Sequence, residues 1–403
     1  MKRLRNPSIL SILLTLLILT VLLVGLSCEL THPLLYRLVT LLEDAQRTVS
    51  ELLTTAPTPA HPAYAVSGGR PYALEIIDTD TRQIVKRIPL SDFPGPSVAI
   101  APNGKVYVPI LGGPYGARNT VAVYTPGAHS AKEIRVGIDP WAAVASPNGM
   151  VYVINMERGR HGTLSVIDSK NDQVVETIDI GLIPEAMAIS GDGRWIYVAR
   201  HDPYYLYGKP FGFDPRPRPD EPPPAPATIA VVDTQEARVV RIVGFEEGSF
   251  SRALTWTKDK LYWSLGSSQV KPDPKATAGV VPGNKVIVLD AKTLNVLARI
   301  EVPPRPDRMA LAPNGKLYVA HAIGGGGGGV TVIDTERDVV IKELPVRVGE
   351  GTGLGMATAT QLYIDSLYVV DTTTDKVIVD PYDFTVRNPA IGPFDALVGA
   401  WSR

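Results

Sequence analysis

The side chains best suited to chemistry in this 403-residue chain are cations and imidazoles gathered at a few recurring positions. Arg200-His201 and His321 each close a Tyr-centred apolar run, and Asn155 closes a third. Arg158, Arg160, His161, Arg252, Arg305 and Arg308 fall in neighbouring connections, with Tyr204 and Tyr205 in the longest of them. Guanidinium forks match the planar oxygens of carboxylate and phosphate. The candidate binding set is therefore Arg158, Arg200, His201, Tyr204, Tyr205, Arg252, Arg305, Arg308 and His321, an electropositive mouth for carboxylate, phosphate or acidic glycan. Glu157, Glu185, Asp202, Glu246, Glu247, Asp307 and Glu350 share these connections, so structural salt bridges are the competing reading. No Ser-centred elbow and no His-Glu-x-x-His occur. The lone cysteine excludes a disulfide framework, a multi-Cys metal site and a Cys-x-x-Cys-His haem attachment. No catalytic residue, metal ligand or cofactor is assigned.

A repeat positions these residues. An apolar strand runs into Asp-Thr or a close relative, turns and re-emerges, with the Asp-equivalent at 78, 125, 168, 233, 290, 334 and 371. The copies lie 37 to 65 residues apart, in the range of propeller blades. Ahead of each phrase comes a tight turn and a Tyr-centred strand. Pro102-Asn103-Gly104, Pro147-Asn148-Gly149, Gly191-Asp192-Gly193 and Pro313-Asn314-Gly315 are the turns, and Asn/Asp-Gly supplies the positive φ a short hairpin needs. The strands are Val106-Tyr107-Val108, Val151-Tyr152-Val153, Ile196-Tyr197-Val198, Leu261-Tyr262-Trp263 and Leu317-Tyr318-Val319. Four short strands with such connections form an antiparallel meander, here called a to d. Thirty-six Gly and thirty-six Pro among many Val/Ile/Tyr runs agree with an all-β chain.

The series apolar strand, Pro-Asn-Gly, Val-Tyr-Val, Val-Ile-Asp-Thr resembles the YVTN-type β-propeller repeat of bacterial and archaeal surface proteins, over residues 63–403. The resemblance implies a seven-bladed propeller and says little about function, because relatives include surface proteins, lactonase-like propellers and propeller parts of oxidoreductases. It also implies an alternative to binding, a metal-assisted hydrolase or lyase using His201, His321 and Glu185 at the channel mouth. A structural surface protein is the third reading. Thr125 replaces Asp in one copy, so the repeated Asp reads as scaffold. Six full blades start near residues 97, 142, 186, 253, 309 and 355. The first blade lacks its inner strand, and Asp395 to Trp401 is an orphan of the right type. We expect it to complete that blade and close the ring, removing exposed sheet edges.

In such a meander the a–b and c–d turns share one face and the b–c and d–a loops the other. The first set is tight. Insertions fall in the second, at 110–118, 155–162, 200–227, 264–283, 321–329, 244–252 and 346–353, which makes that face the expected working surface. Residues 202–226 hold nine prolines behind Tyr204, Tyr205, Tyr207, Phe211 and Phe213, a stiff strap that either docks a partner or packs on its own face. Gly324 to Gly329 lacks the Lys-Ser/Thr of a phosphate loop and reads as slack.

The amino terminus carries Lys2, Arg3 and Arg5 ahead of an uncharged run from Ile9 to Ser27. Cations before an apolar run hold the amino end in the cytoplasm and send the downstream chain across the membrane. Val24 to Cys28 resembles the lipobox of bacterial lipoproteins, with Gly25 where Leu is usual, so Cys28 is the expected lipidation site. An uncleaved anchor and cleavage to a free soluble protein are the alternatives. All three place the body outside the cytoplasm, at the cell surface or in the periplasm. Residues 29–53 read as an amphipathic helix and 54–62 as a Pro-rich linker. The helix seam is too short for a firm coiled coil, which favours a monomer. The net charge of -1 excludes a global field for nucleic acid. Expected partners are a protein, a cell-wall polymer or a small anionic ligand.

Overall fold

The structure, a computed structural model, describes residues 59–67, 71–112, 118–157, 161–181, 183–201, 227–245, 250–269, 280–321, 328–348, 353–364, 368–379 and 394–399. Seven four-stranded antiparallel sheets form a seven-bladed β-propeller. From inner to outer strand, blade 1 is Phe394–Gly399, Pro62–Ser67, Ala73–Asp78 and Gln83–Pro89. The chain end therefore supplies the first blade's inner strand, with Tyr64 opposite Val398 and Ala65 opposite Leu397.

Blades 2 to 7 are uninterrupted meanders whose inner strands are Ala99–Ile100, Pro140–Ala145, Ile183–Ile189, Phe250–Thr257, Pro306–Leu311 and Leu354–Met356. Their second strands start at Val106, Met150, Trp195, Lys260, Lys316 and Gln361. Second and third strands are apolar on both faces because each blade is sandwiched between two others. Val106–Ile110 is buried throughout. Outer strands face solvent on one side, and Val339–Leu344 is exposed along most of its length. The repeated phrase thus encodes radial position: the apolar run lies inside and the alternating run at the rim.

The conspicuous Asp of each phrase is a turn cap. Oδ1 of Asp78, Asp168, Asp233, Asp290, Asp334 and Asp371 accepts the backbone N–H two residues on, at 2.8–3.0 Å. This Asx geometry lets the chain reverse into strand d. Each reversal ends in a left-handed residue: Arg82, Asp172, Ala237, Leu294, Asp338 or Asp375. Where it is Asp, its side chain reaches back to the preceding blade. Asp172 takes the Tyr107 hydroxyl at 2.6 Å and the Lys105 ammonium at 2.9 Å. Asp375 takes Tyr318 and Lys316, both at 2.6 Å, and Asp338 takes Tyr262 and Lys260. Burial, and then the facing carboxylate, pushes the hydroxyls of Tyr107, Tyr262 and Tyr318 well above the ordinary tyrosine range. Burial pushes the Asp172 carboxyl up, but hydrogen bonds from Lys132, Tyr107 and Lys105 outweigh it and hold the group below the usual carboxylate range. The Lys-x-Tyr of one blade is bolted to the Asp of the next.

One insertion departs from the expected loop. Both described ends of residues 264–283 are strand: Lys260–Gln269 pairs antiparallel with Val280–Asp290, with Ser268 opposite Val281 and Gln269 opposite Val280. Val280 and Val281 are β-branched and extend the ladder past the body of blade 5.

Candidate functional site

The inner strands of blades 3 to 6 carry β-bulges near the end where insertion-rich connections arrive. Register shifts lie between Pro140 and Ala142, Pro184 and Ala186, Ser251 and Ala253, and Pro306 and Met309. The extra residues are Trp141, Glu185, Arg252 and the pair Asp307-Arg308. A bulge leaves a residue without a cross-strand partner and re-aims its side chain. Four such bulges lie in consecutive blades at one end of the channel, an arc along its mouth.

Trp141, Glu185 and Arg308 line a channel cavity of about 340 Å3. Deeper in, its wall is Val98, Ala143, Met187, Leu254, Met309 and Met356, an apolar sleeve with three thioethers. The rim is tied together. The Trp141 indole Nε1 donates to the Glu185 carbonyl at 3.0 Å, and the Ala143 N–H donates to Ser97 Oγ at 2.7 Å. Ser264 Oγ donates to the Asp307 carbonyl at 2.8 Å. Gly95 permits this approach, since a Cβ there would lie 2.4 Å from the Trp141 carbonyl oxygen. The arrangement offers one cation, one carboxylate and an indole above an apolar well, which suits a small ligand with a charged head.

The sequence candidates divide. Arg308 reaches the channel. Arg200 is wholly buried within the blades, where Nη1 donates to the Ile180 carbonyl at 2.5 Å and Nε to Thr228 Oγ1 at 3.2 Å. His321 is also buried. Its Nε2 lies 3.3 Å from Glu343 Oε2, and Thr331 Oγ1 donates to Glu343 Oε1 at 2.6 Å. Asn155 binds Ser165 Oγ and Thr163 Oγ1 in the same manner in blade 3. The polar residues ending strand b therefore turn away from the mouth: Asn155 ties to strand c, His321 to strands c and d through Glu343, and Arg200 to strand c and across the seam to strand d of blade 3. Arg305 is exposed at a left-handed backbone position (φ 60°), with its N–H donating to Gly283 O. His201 and Arg252 lie in strands, but their side chains are outside the described residues. Arg158, Tyr204, Tyr205 and Cys28 are outside them altogether, as are the leader, the helix and most of the linker.

The channel residue that the sequence reading passes over is Trp141; Glu185, expected at the channel mouth, does line the cavity. A signal exists. Pro140-Trp141-Ala142, Pro184-Glu185-Ala186 and Ser251-Arg252-Ala253 each place one bulky or charged residue just ahead of a small apolar strand. That pattern breaks strand alternation at the same point in three blades. Among the described residues, no group of three or more His, Cys, Asp or Glu side chains could hold a metal ion, and no helix is long and apolar enough to cross a membrane.

No family model matches the chain, and no curated protein does. Solved structures share the fold. Hydrazine synthase of Kuenenia stuttgartiensis superposes with a TM-score of 0.58 at 18% identity, covering 81% of this chain and 96% of that one. Dihydro-heme d1 dehydrogenase NirN in complex with DHE gives 0.53 at 12% identity, over 85% and 75%. Apo AztD from Citrobacter koseri gives 0.51 at 12%, over 84% and 97%. The chain is a seven-bladed β-propeller. At these identities the likeness extends to the fold and no further.

Proposed function

We propose that this propeller is a binding module that takes a small anionic ligand at the bulged end of its channel. The observation that carries the reading is the convergence of Trp141, Glu185 and Arg308 on one cavity, each delivered by an inner-strand bulge. About 340 Å3 is within the range of small-molecule sites, roughly 300–1,000 Å3, and too narrow for a folded partner. In this reading Arg308 pairs with the ligand's carboxylate or phosphate, Trp141 stacks on its body and Glu185 accepts from a hydroxyl or amine. The basic segment, apolar run and Cys28 support a body tethered outside the cytoplasm through a lipid at Cys28.

The test is a calorimetric screen of dicarboxylates, sugar acids and phosphate esters against the wild-type protein and the Arg308→Ala and Trp141→Ala variants. A hit should weaken at least tenfold with Arg308→Ala, which corresponds to about 1.4 kcal/mol. A hit that binds both variants as tightly as wild type would remove the channel from consideration.

A further inference from the structure

A second cavity, of about 820 Å3, opens on the opposite side of the ring, in the seam between blades 4 and 5. Its floor is Trp195, Tyr197, Val231 and Trp256, and its charged residues are Asp192, Arg241, Lys258, Asp259 and Lys292. Nothing in the insertion-rich face predicts it. It arises where the repeat departs from its own rule.

Between blades 2 and 3, 5 and 6, and 6 and 7, the seam is closed by Lys-x-Tyr meeting Asp. A strand-d lysine often adds a clamp, as Lys342 does on the Asp375 carbonyl at 2.6 Å. Between blades 3 and 4 the two places hold Met150 and Ala237, which pack together with the core and close the seam by apolar contact. Between blades 4 and 5 the polar bolt is also absent, and Trp195 and Leu294 pack in one apolar cluster, yet an open cavity remains beside them. In blade 4 the Lys position is Trp195, and in blade 5 the Asp position is Leu294, which keeps the left-handed backbone (φ 60°) but sinks into the core. Tyr197 finds the Ala291 carbonyl instead, at 2.9 Å. The clamp position, opposite Val231, is Arg241. It donates no hydrogen bond to a described residue, although its charge is felt by Tyr197, whose hydroxyl burial pushes up to about 12 against that pull. The Lys and the Asp are also both missing between blades 1 and 2 (Pro62 facing turn 125–131), 3 and 4, and 7 and 1 (Gln361 facing Arg82). What sets the seam between blades 4 and 5 apart is the open aromatic cavity with Arg241 at its edge, whereas Lys86 at the same place between blades 1 and 2 donates to the Ala128 carbonyl.

The walls are set for a flat guest. Trp256 packs on the bare backbone of Gly191, where a Cβ would stand 2.8 Å from indole Cζ3. Arg194 stacks over Trp195 at 4.7 Å from the ring centroid, bracing it from behind. Asp192 already accepts from Ser190 Oγ and from the Arg194 N–H, which hold its carboxyl below the usual range. Of the remaining charges three are cations and one is Asp259. We infer that this seam is a second ligand site, which takes a planar aromatic molecule carrying one anionic group, with the ring between Trp195 and Trp256 and the anion on Arg241. The volume suits a drug-sized ligand, and indole faces with an adjacent guanidinium match an aryl carboxylate, sulfonate or phosphate.

Anilinonaphthalene sulfonate has this chemistry and serves as the probe, with uncharged phenylnaphthylamine as its control. Fluorescence titration of the folded full chain in the Arg308→Ala background should show one saturable sulfonate site. Arg241→Gln should weaken the sulfonate at least fivefold and leave the uncharged control within twofold. The pair Trp195→Lys with Leu294→Asp rebuilds the bolted form of the seam, so it should keep the thermal midpoint and abolish binding of both probes. Should that pair not fold, Arg241→Gln alone decides. Sulfonate held in the channel should be lost with Arg308→Ala, and the component that depends on Arg241 should remain. Sulfonate binding that ignores Arg241→Gln overturns the inference.

Discussion

Replacing Asp172 tests whether the seams between blades are held by their polar bolts or only by apolar packing. The Asp172 side chain is 3% exposed and accepts from the Tyr107 hydroxyl, the Lys105 ammonium and the Lys132 ammonium. Removing one member of a buried ionic cluster costs about 3–5 kcal/mol because the others stay buried and unpaired. Here the lysines are 18% and 55% exposed, so both recover water and the ionic part falls to about 2 kcal/mol. Tyr107 is fully buried and loses its partner, which adds about 1 kcal/mol. Alanine also tolerates the left-handed backbone (φ 58°) poorly, about 1 kcal/mol more. Asp172→Ala should therefore cost about 4 kcal/mol. Asp172→Asn keeps an acceptor for Tyr107 and a residue at ease in that conformation, and should cost about 2 kcal/mol. Urea unfolding at neutral pH measures both. The pH dependence has a definite sign: the folded carboxyl titrates below the ordinary unfolded value of about 3.9. The stabilisation is full above that value and is lost as pH falls through the folded one. The gap between wild type and Asp172→Asn should be flat from neutral down to about pH 5 and should close in stronger acid. A gap under about 0.5 kcal/mol at neutral pH, or one unchanged at pH 3, would refute the bolt as a stabilising device.

Three further outcomes rest on the same geometry. Gly193→Ala places a Cβ 2.2 Å from Ser146 Oγ on the neighbouring turn at φ 75°, and should cost about 3 kcal/mol. Gly127→Ala, with similar φ but open space, should cost about 1 kcal/mol, and thermal unfolding of the pair separates clash from backbone strain. Truncation before Phe394 strips blade 1 of its inner strand and exposes the edge of Pro62–Ser67; size-exclusion chromatography should show association where the full chain shows a discrete species. Arg200→Ala should lower stability by about 3 kcal/mol through loss of a fully buried, hydrogen-bonded side chain, and should leave affinity for a channel ligand within twofold.

The fold is legible in the sequence because its signal is local and repeated. An Asn-Gly turn, a Tyr strand and an Asp-Thr turn each need only a few neighbouring residues to act, and seven copies average out the exceptions. Ring closure is legible for the same reason, since one blade lacks a strand and the chain end offers one. The site is legible only in part. Arg308 reaches the channel, yet Arg200 and His321, at matching strand ends, turn into the blades. Their direction depends on strand parity: three residues beyond the Tyr, the side chain points into a seam and not into the mouth. Trp141 escapes a sequence reading because a bulge, which is a property of the pair of strands, decides where it points. The strand pairing within 264–283 escapes it because a Gly- and Pro-containing stretch has the composition of a loop although Val280 and Val281 pair.

The repeated Asp and its departures carry opposite information. Where Asp stands at the left-handed position with Lys-x-Tyr before it, the seam is closed by charges that satisfy one another and offer nothing to a ligand. Where the position holds Leu294 and the lysine is Trp195, the same backbone yields an open aromatic cleft with a guanidinium in reach of solvent. The backbone conformation is indifferent to the exchange, since φ is 58° at Asp172 and 60° at Leu294. A propeller can therefore change the chemistry of one seam without altering its scaffold, because the Asx cap at the start of the turn fixes the reversal by itself. Function on such a scaffold is to be sought first where several members of one contact change together and leave a cavity. In this chain that criterion selects the seam between blades 4 and 5 on the tight-turn face, and the arc of inner-strand bulges on the other.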